Sequence, residues 1–190
     1  MTKAPATGVA LLSGGLDSGV AAAAFVAGGG RLLASLCFDY GQRAACAAAA
    51  GSALLPGCGD LPQGTAAHPG DAASAARVWV PARNAAFVAI AAAHAEALGA
   101  DCVLAGFNRE EAATFPDNSA AFLAAATAFL RLGTRTGVAV VSPTLALDKA
   151  AIVARAHELG FVADDFWSCY EGGLSPCGRC ESCLRSRWRR

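Results

Sequence analysis

The run Ser13-Gly14-Gly15-Leu16-Asp17-Ser18 follows directly on the apolar stretch Val9-Ala10-Leu11-Leu12, an order of residue types suited to holding a phosphate. Small residues at 13–15 let the backbone curl until successive N–H groups point at one anion, and the helix that follows adds its positive dipole end. The run is not the Gly-x-Gly-x-x-Gly of dinucleotide sites, and it lacks the Gly-Lys-Ser/Thr with which a Walker A loop grips a γ-phosphate. The bland alternative is a plain strand-to-helix connection. A second concentration of chemistry lies at Cys169, Cys177, Cys180 and Cys183. Four thiolates spaced Cys-x7-Cys-x2-Cys-x2-Cys can surround one tetrahedral Zn²⁺, the two-residue gaps forming a knuckle that aims two sulfurs at one metal. Such a site, one Zn²⁺ per chain, leaves no open position for water and is structural; two disulfides or four thiols are the alternatives.

Both groups need elements to position them, and helix and strand signals alternate along the chain. Residues 19–27 read as a helix closed by Gly28-Gly29-Gly30, and 32–38 as an apolar strand. Residues 44–76 are rich in Ala, Gly and Pro with weak periodicity and predict a helix followed by a loop, without a strand. Residues 78–80 predict a short strand, 84–98 a long alanine-rich helix, 102–106 a strand, 119–132 a helix and 138–141 a strand. Asp148 is placed to cap a helix that runs to Leu159 and stops at Gly160. The alternation predicts an α/β fold: a Rossmann-like parallel sheet with helices on both faces. Ligands of such sheets sit outside the carboxyl ends of the strands, where the loop at 13–18, Asp39-Tyr40-Gly41, Phe107-Asn108 and Pro143-Thr144 fall.

Length and composition bound the rest. With 190 residues, one domain has room for a sizeable core and one small appendage, divided here as residues 1–163 for the nucleotide-binding domain and 164–190 for the cysteine module. Fifteen basic against fifteen acidic residues give no global reason to bind a polyanion, so nucleic acid is not the expected partner. The terminal Arg185, Arg187, Arg189 and Arg190 are read as a solvated run, with RNA contact as the alternative. The hydrophobic content of 55% comes in alanine-heavy runs broken before the roughly twenty residues of a bilayer span, and residues 1–8 carry no secretory signal. A cytoplasmic protein without membrane contact is expected. The scattered Cys37, Cys46, Cys58 and Cys102 are expected as small buried apolar residues, and His94 and His157 as helix-surface residues.

The loop at 13–18 resembles SGGxDS, the pyrophosphate loop of enzymes that split ATP into AMP and pyrophosphate. Further along stand FDYGQR at 38–43, VPARN at 80–84, GFN at 106–108, FPDN at 115–118, Pro143, Lys149, WSCY at 167–170 and PCGRCESC at 176–183. In that order and spacing, over nearly the whole chain, these motifs resemble the 7-cyano-7-deazaguanine synthase family, pyrophosphate-loop ligases that make the nitrile precursor of queuosine and archaeosine. The resemblance implies that ATP activates 7-carboxy-7-deazaguanine as an acyl-adenylate, that ammonia converts it to the amide, and that a second ATP dehydrates the amide to the nitrile. It also implies a homodimer. The chain departs from the pattern at Asn118-Ser119, where many bacterial members read Cys-Arg, at Glu111, where they carry aspartate, at Ala44, where a histidine is usual, and in a short 45–77 region. These departures keep open a related ligase acting on another amine acceptor. A zinc-ribbon protein without catalysis would leave SGGLDS unexplained.

On this resemblance the nucleotide contacts are Leu11, Leu12, Ser13, Gly14, Gly15, Leu16, Asp17, Ser18, Phe38 and Tyr40, with ATP taken as a substrate together with Mg²⁺. The catalytic candidates are Ser13, Asp17, Ser18, Arg83 and Lys149. Loop amides and the two hydroxyls would hold the leaving pyrophosphate. Asp17 could orient Mg²⁺ or cap the helix. Arg83 could pair with a carboxylate or phosphate or stand in water, and Lys149 could offset pyrophosphate charge or extend into solvent. The substrate-binding candidates are Gln42, Arg43, Asn84, Asn108, Glu111, Phe115, Asp117 and Trp167. Asp117 or Glu111 is the candidate acceptor for the exocyclic amine and ring N–H of the base, with turn chemistry as the alternative for Asp117. Trp167 and Tyr170 are stacking partners for the ring or packing for the cysteine module.

Overall fold

The computed structural model describes residues 6–38, 79–167, 169, 175–179 and 183, and the backbone of 58–60. Tyr40, Gln42, Arg43, Ala44, Tyr170, Cys180 and the arginine run lie outside the described residues.

Five short strands, β1 (Thr7–Leu11), β2 (Arg31–Cys37), β3 (Cys58–Asp60), β4 (Cys102–Leu104) and β5 (Ala139–Val141), pair in parallel in the order β3-β2-β1-β4-β5. The helices are α1 (Leu16–Ala27), α2 (Arg83–Leu98), a single turn α3 (Arg109–Ala112), α4 (Ala120–Gly133) and α5 (Lys149–Glu158), with 3-10 turns at Pro116–Asn118 and Ala163–Asp165. Strands covered on both faces must be apolar on both, and β1 and β4 are. Val9 and Val103 join Val140 in packing against Val88, Ala91, Ala92 and Ala95 of α2 and Ala126 and Leu130 of α4. Ala10 and Leu104 turn the opposite way onto Ala22 and Phe25 of α1. A third cluster joins Leu16 and Val20 of α1 to Ile152 and Ala156 of α5 and to Phe166. Within the sheet β1 and β4 approach closely: a Cβ at Gly8, opposite Cys102, would collide with the Leu104 side chain. No helix among the described residues is long and apolar enough to cross a membrane.

Three local expectations need correction. Residues 79 and 80 form no strand. Trp79 instead stacks parallel to Phe115 with ring centroids 5.9 Å apart, and the Val80 carbonyl accepts from the Arg83 N–H at 3.2 Å in the turn entering α2. Conversely, β3 lies inside the stretch expected to hold no strand; Cys58-Gly59-Asp60 has no β-branched or aromatic residue, and its backbone is extended by pairing with Ser35, Leu36 and Cys37 of β2. Helix α1 starts at Leu16, three residues earlier than the apolar pattern places it, with Gly15 as its N-cap.

The strand order reverses between β1 and β4, so the chain diverges there and opens a crevice at their carboxyl ends. The loop after β1 and the Gly106-Phe107-Asn108 segment after β4 face each other across it. A Cβ on Gly106 would stand 2.5 Å from the Ser18 nitrogen, 2.6 Å from its Cα and 2.8 Å from the Asp17 carbonyl carbon. Only a residue without a side chain lets β4 end this close to the first turn of α1.

Candidate active site

The loop after β1 is shaped by its own small residues. Gly14 is buried with φ at +75°, a left-handed conformation that costs a residue with a Cβ about 1–2 kcal/mol. The Ser13 N–H donates to Ser18 Oγ at 3.2 Å, the two hydroxyls lie 3.1 Å apart, the Gly15 N–H donates to Ser13 Oγ at 3.3 Å and Ser18 Oγ donates to the Gly15 carbonyl at 3.2 Å. These long, local bonds gather both hydroxyls at the mouth of the loop, with Ser13 exposed. Gly15 offers no side-chain cap to α1, so the helix meets the loop with first-turn N–H groups available to a ligand.

Asp17 does not cap α1. Its Oδ2 accepts from Lys149 Nζ at 2.6 Å, and its Oδ1 is buried without a hydrogen-bond partner. Lys149, the first residue of α5, therefore turns into the crevice instead of water; its Nζ also lies 3.7 Å from Glu111 Oε1. Burial pushes the Glu111 carboxyl above its usual range and the Asp17 carboxylate pushes the same way, against the opposing pull of Lys149, the Asn108 amide and Arg83. Two carboxylates thus share one ammonium, with a guanidinium near enough to act on the same group.

The segments after β4 and β5 hold this cluster in place. Asn108 is fully buried and caps α3: its Oδ1 accepts the Glu111 N–H at 2.9 Å, which aligns the carboxylate's backbone, while its Nδ2 is left without a hydrogen-bond partner. Thr144, also fully buried, donates to the Phe107 carbonyl at 2.8 Å, as does Ser142 at 3.0 Å. The Arg109 guanidinium meets Asp148 at 2.5 Å, and the Lys149 N–H donates to Glu110 at 2.9 Å. Asp148 also caps α5 by accepting the Ala151 N–H at 2.9 Å, so the same turn that starts the helix aims Lys149 inward.

Beside this cluster lies a second group, built on Asn84, Asp117 and Asn118. Asn84 donates to the Asp117 carbonyl at 3.3 Å and accepts from Arg83 Nε at 3.4 Å, and Asn118 Nδ2 donates to Asp117 Oδ1 at 3.2 Å. Asn84, Asp117 and Asn118 are all buried, and Phe115 of the same segment carries the Trp79 ring. Ser119 caps α4 by accepting the Phe122 N–H at 3.1 Å. Phe38 stacks on Phe87 of α2 at 4.1 Å.

The C-terminal segment returns to the loop. Phe166 is buried between α1 and α5, the Trp167 N–H donates to the Gly14 carbonyl at 2.9 Å, and its indole N–H donates to the Cys169 carbonyl at 3.0 Å. The sulfurs of Cys169, Cys177 and Cys183 lie within 4.8 Å of one another. Cys177 and Cys183 stand 4.0 Å apart, about twice a disulfide bond, so they are not cross-linked. Zn–S bonds of about 2.3 Å in a tetrahedron set sulfurs about 3.8 Å apart, close to the spacing here. The Cys177 N–H donates to the Cys169 sulfur at 3.3 Å, the kind of bond that stabilises a thiolate. Three thiol donors with this geometry fit a metal ion. Cys102, by contrast, is buried in the sheet and donates to the Thr7 carbonyl at 3.4 Å; burial and Asp101 push its thiol up to about 11, which leaves it unreactive.

Residues 45–188 match the family model described as "Queuosine biosynthesis protein QueC". The chain belongs to the QueC family. Among curated relatives, the 7-cyano-7-deazaguanine synthase of Pelotomaculum thermopropionicum is 44% identical over 93% of each chain, and that of Desulforudis audaxviator is 44% identical over 94% of this chain and 93% of its own. The 7-cyano-7-deazaguanine synthase of Methanothermobacter thermautotrophicus is 36% identical over 94% of this chain and 91% of its own. The alignment with the Pelotomaculum protein runs over 206 residues, more than the 190 of this chain, so the relative carries residues that this QueC chain lacks.

Of the residues singled out by their motifs, the structure gathers Ser13, Asp17, Ser18, Asn108, Glu111 and Lys149 at the crevice and sets Asn84, Phe115 and Asp117 together beside it. Glu111 falls with Lys149 and Asp17, and Asp117 with Asn84 and Asn118, so the two candidate base acceptors occupy different surroundings. Thr144, expected at the strand ends with Pro143 but given no role, ties the loop after β5 to the Phe107 carbonyl, and Glu110, which accepts the Lys149 N–H, was not singled out. Ala82 was missed as well. It is the sole non-glycine residue at positive φ among those described, at 58°, and it forms the N-cap of α2 immediately before Arg83.

Proposed function

We propose that this QueC chain converts 7-carboxy-7-deazaguanine, ammonia and ATP to 7-cyano-7-deazaguanine, releasing AMP and pyrophosphate. The observation that carries the reading is the glycine loop at the reversal point of the sheet, its Asp17 paired with a lysine from a distant helix. A phosphate cradle with its cation outside the loop suits a leaving pyrophosphate more than a transferred γ-phosphate.

A carboxylate is a poor electrophile. Attack of its oxygen on the α-phosphorus of ATP forms the acyl-adenylate and expels pyrophosphate, which the loop amides, Ser13, Ser18 and Lys149 hold and neutralise. Ammonia then displaces AMP to give the amide. The amide oxygen attacks the α-phosphorus of a second ATP and expels a second pyrophosphate, and loss of AMP, both N–H protons having left, gives the nitrile. The chain mainly positions reactants and stabilises charge. The buried, unpartnered Asp17 Oδ1 is an oxygen ligand suited to the Mg²⁺ that accompanies ATP. Arg83 reaches Asn84 on one side and acts on Glu111 on the other, where a bidentate guanidinium would orient the substrate carboxylate. Asp117, with Asn84 and Phe115, is the better acceptor for the base, because Glu111 is engaged with Lys149. The four-cysteine site, completed by Cys180, holds one structural Zn²⁺.

Chromatography of the nucleotide products tests this reading. AMP and pyrophosphate are expected in the presence of acid and ammonium, lost in the Ser13→Ala/Asp17→Ala double variant. ADP as the product would overturn it.

A further inference from the structure

We propose that Trp167 is a positioning residue that couples the cysteine site to the pyrophosphate loop, so that metal binding and ATP binding strengthen each other. The inference rests on the reading of the loop as an ATP site and adds a link that neither site requires alone.

The link consists of two hydrogen bonds and two residues of chain. The peptide joining Gly14 to Gly15 is planar and trans, so its C=O and N–H point in opposite directions. The Trp167 N–H holds that C=O at 2.9 Å. Fixing the carbonyl fixes the Gly15 N–H, which is directed back to the mouth of the loop, at Ser13 Oγ. A glycine on either side of this peptide leaves its plane free to rotate, and Gly14 already sits at a φ of +75°. The loop's own hydroxyl contacts are long, from 3.1 to 3.3 Å, and local. The Trp167 N–H is a restraint on the peptide from outside the loop.

Trp167 is held in turn from both sides. Phe166 is buried against Leu16 and Val20, beneath the start of α1. On the other side the indole N–H donates to the carbonyl of Cys169, whose sulfur is buried and accepts the Cys177 N–H. A metal held by Cys169, Cys177 and Cys183 locks Cys169 in place, and with it the indole and the main chain that carries the Trp167 N–H. Without the metal, Cys169 loses that restraint, and the hold on the Trp167 indole is weaker. The Gly14–Gly15 peptide then loses orientation, and ATP binding must first restore it. Linkage makes the effect reciprocal: the factor by which metal raises ATP affinity is the factor by which ATP raises metal affinity.

Calorimetric titration of the full chain with MgATP, in zinc-loaded and chelator-depleted forms, tests the coupling. The expected result is an ATP Kd about 10-fold higher without zinc, and an equal rise in zinc affinity with saturating ATP, read by competition with a chromophoric chelator. Trp167→Phe retains the main-chain N–H and the thiols but loses the bond to the Cys169 carbonyl; it should bind zinc, with a coupling factor reduced towards one. A residue that merely packed would change stability and leave that factor unmoved. If depleted protein loses its fold by circular dichroism, the chelator competition on the loaded protein decides. Zinc affinity indifferent to ATP, or a wild-type coupling factor in Trp167→Phe, overturns the proposal. Zinc-loaded protein that binds no ATP instead overturns the assignment of the loop.

Discussion

Replacing Gly106 by alanine perturbs the crevice without touching a charged group. The new Cβ would lie 2.5 Å from the Ser18 nitrogen and 2.6 Å from its Cα, where ordinary contact begins at about 3.4 Å. The first turn of α1 must therefore retreat by about 0.9 Å. Both obstructing atoms are backbone, and they belong to the loop proposed to hold pyrophosphate. Overpacking of this kind costs about 1–3 kcal/mol, and a displacement near 1 Å at a reacting site costs on the order of 100-fold in rate. Gly8→Ala is the matched control. Its Cβ meets the Leu104 side chain in the sheet, at the opposite end of β1 from the loop. Urea denaturation should show both variants destabilised by similar amounts, whereas AMP formation at saturating substrates should fall about 100-fold in Gly106→Ala alone. Gly106→Ala with wild-type turnover would refute the reasoning that the contact between β4 and α1 sets the loop.

Lys149→Met removes the ammonium shared by Asp17 and Glu111, both only partly exposed, and should destabilise the protein by about 1–3 kcal/mol in urea denaturation at pH 7, between the values for exposed and buried pairs; it should also weaken pyrophosphate binding measured by calorimetry. Glu111→Gln tests the raised carboxyl. The fold binds the Glu111 proton more tightly than the unfolded chain does, so this group's stabilisation is complete below the ordinary value of 4.5 and is lost as pH rises through the higher folded value. The glutamine variant should therefore gain on wild type in denaturation midpoint as pH rises from about 4 to 7, and a gap that shrinks over that range would contradict it. Cys180→Ala should lower zinc content from one per chain to a small fraction by plasma emission analysis, because metal binding is coupled to local order; zinc retained at one per chain would remove Cys180 from the ligand set.

The core was legible because it follows period and spacing. Val9, Val103 and Val140 occupy strands bounded by glycine or polar turns, and the helices before and after β5 are capped by Ser119 and Asp148, whose side-chain oxygens accept an N–H of the first turn. Strand β3 was illegible because nothing in Cys58-Gly59-Asp60 favours extension; pairing with β2 supplies it. Trp79 read as a strand residue for the converse reason, an aromatic flanked by valines whose partner proved to be Phe115. At the site, motif order indicated which residues matter and not how they pair. Sequence left Lys149 divided between pyrophosphate and water, and Asp17 between metal and cap, because the 2.6 Å contact joins residues 132 positions apart. The strain at Ala82 has no signature at all, since alanine is the residue expected in a helix and among the least expected at positive φ.

The central claim is the identity of the product. Mass spectrometry after incubation of the zinc-loaded protein with MgATP, ammonium and 7-carboxy-7-deazaguanine carrying ¹⁸O in its carboxylate tests it most directly. The expected product is 7-cyano-7-deazaguanine free of label, with both heavy oxygens recovered in AMP, one from each activation. A product that retains the label or carries another amine, or label absent from AMP, would contradict it.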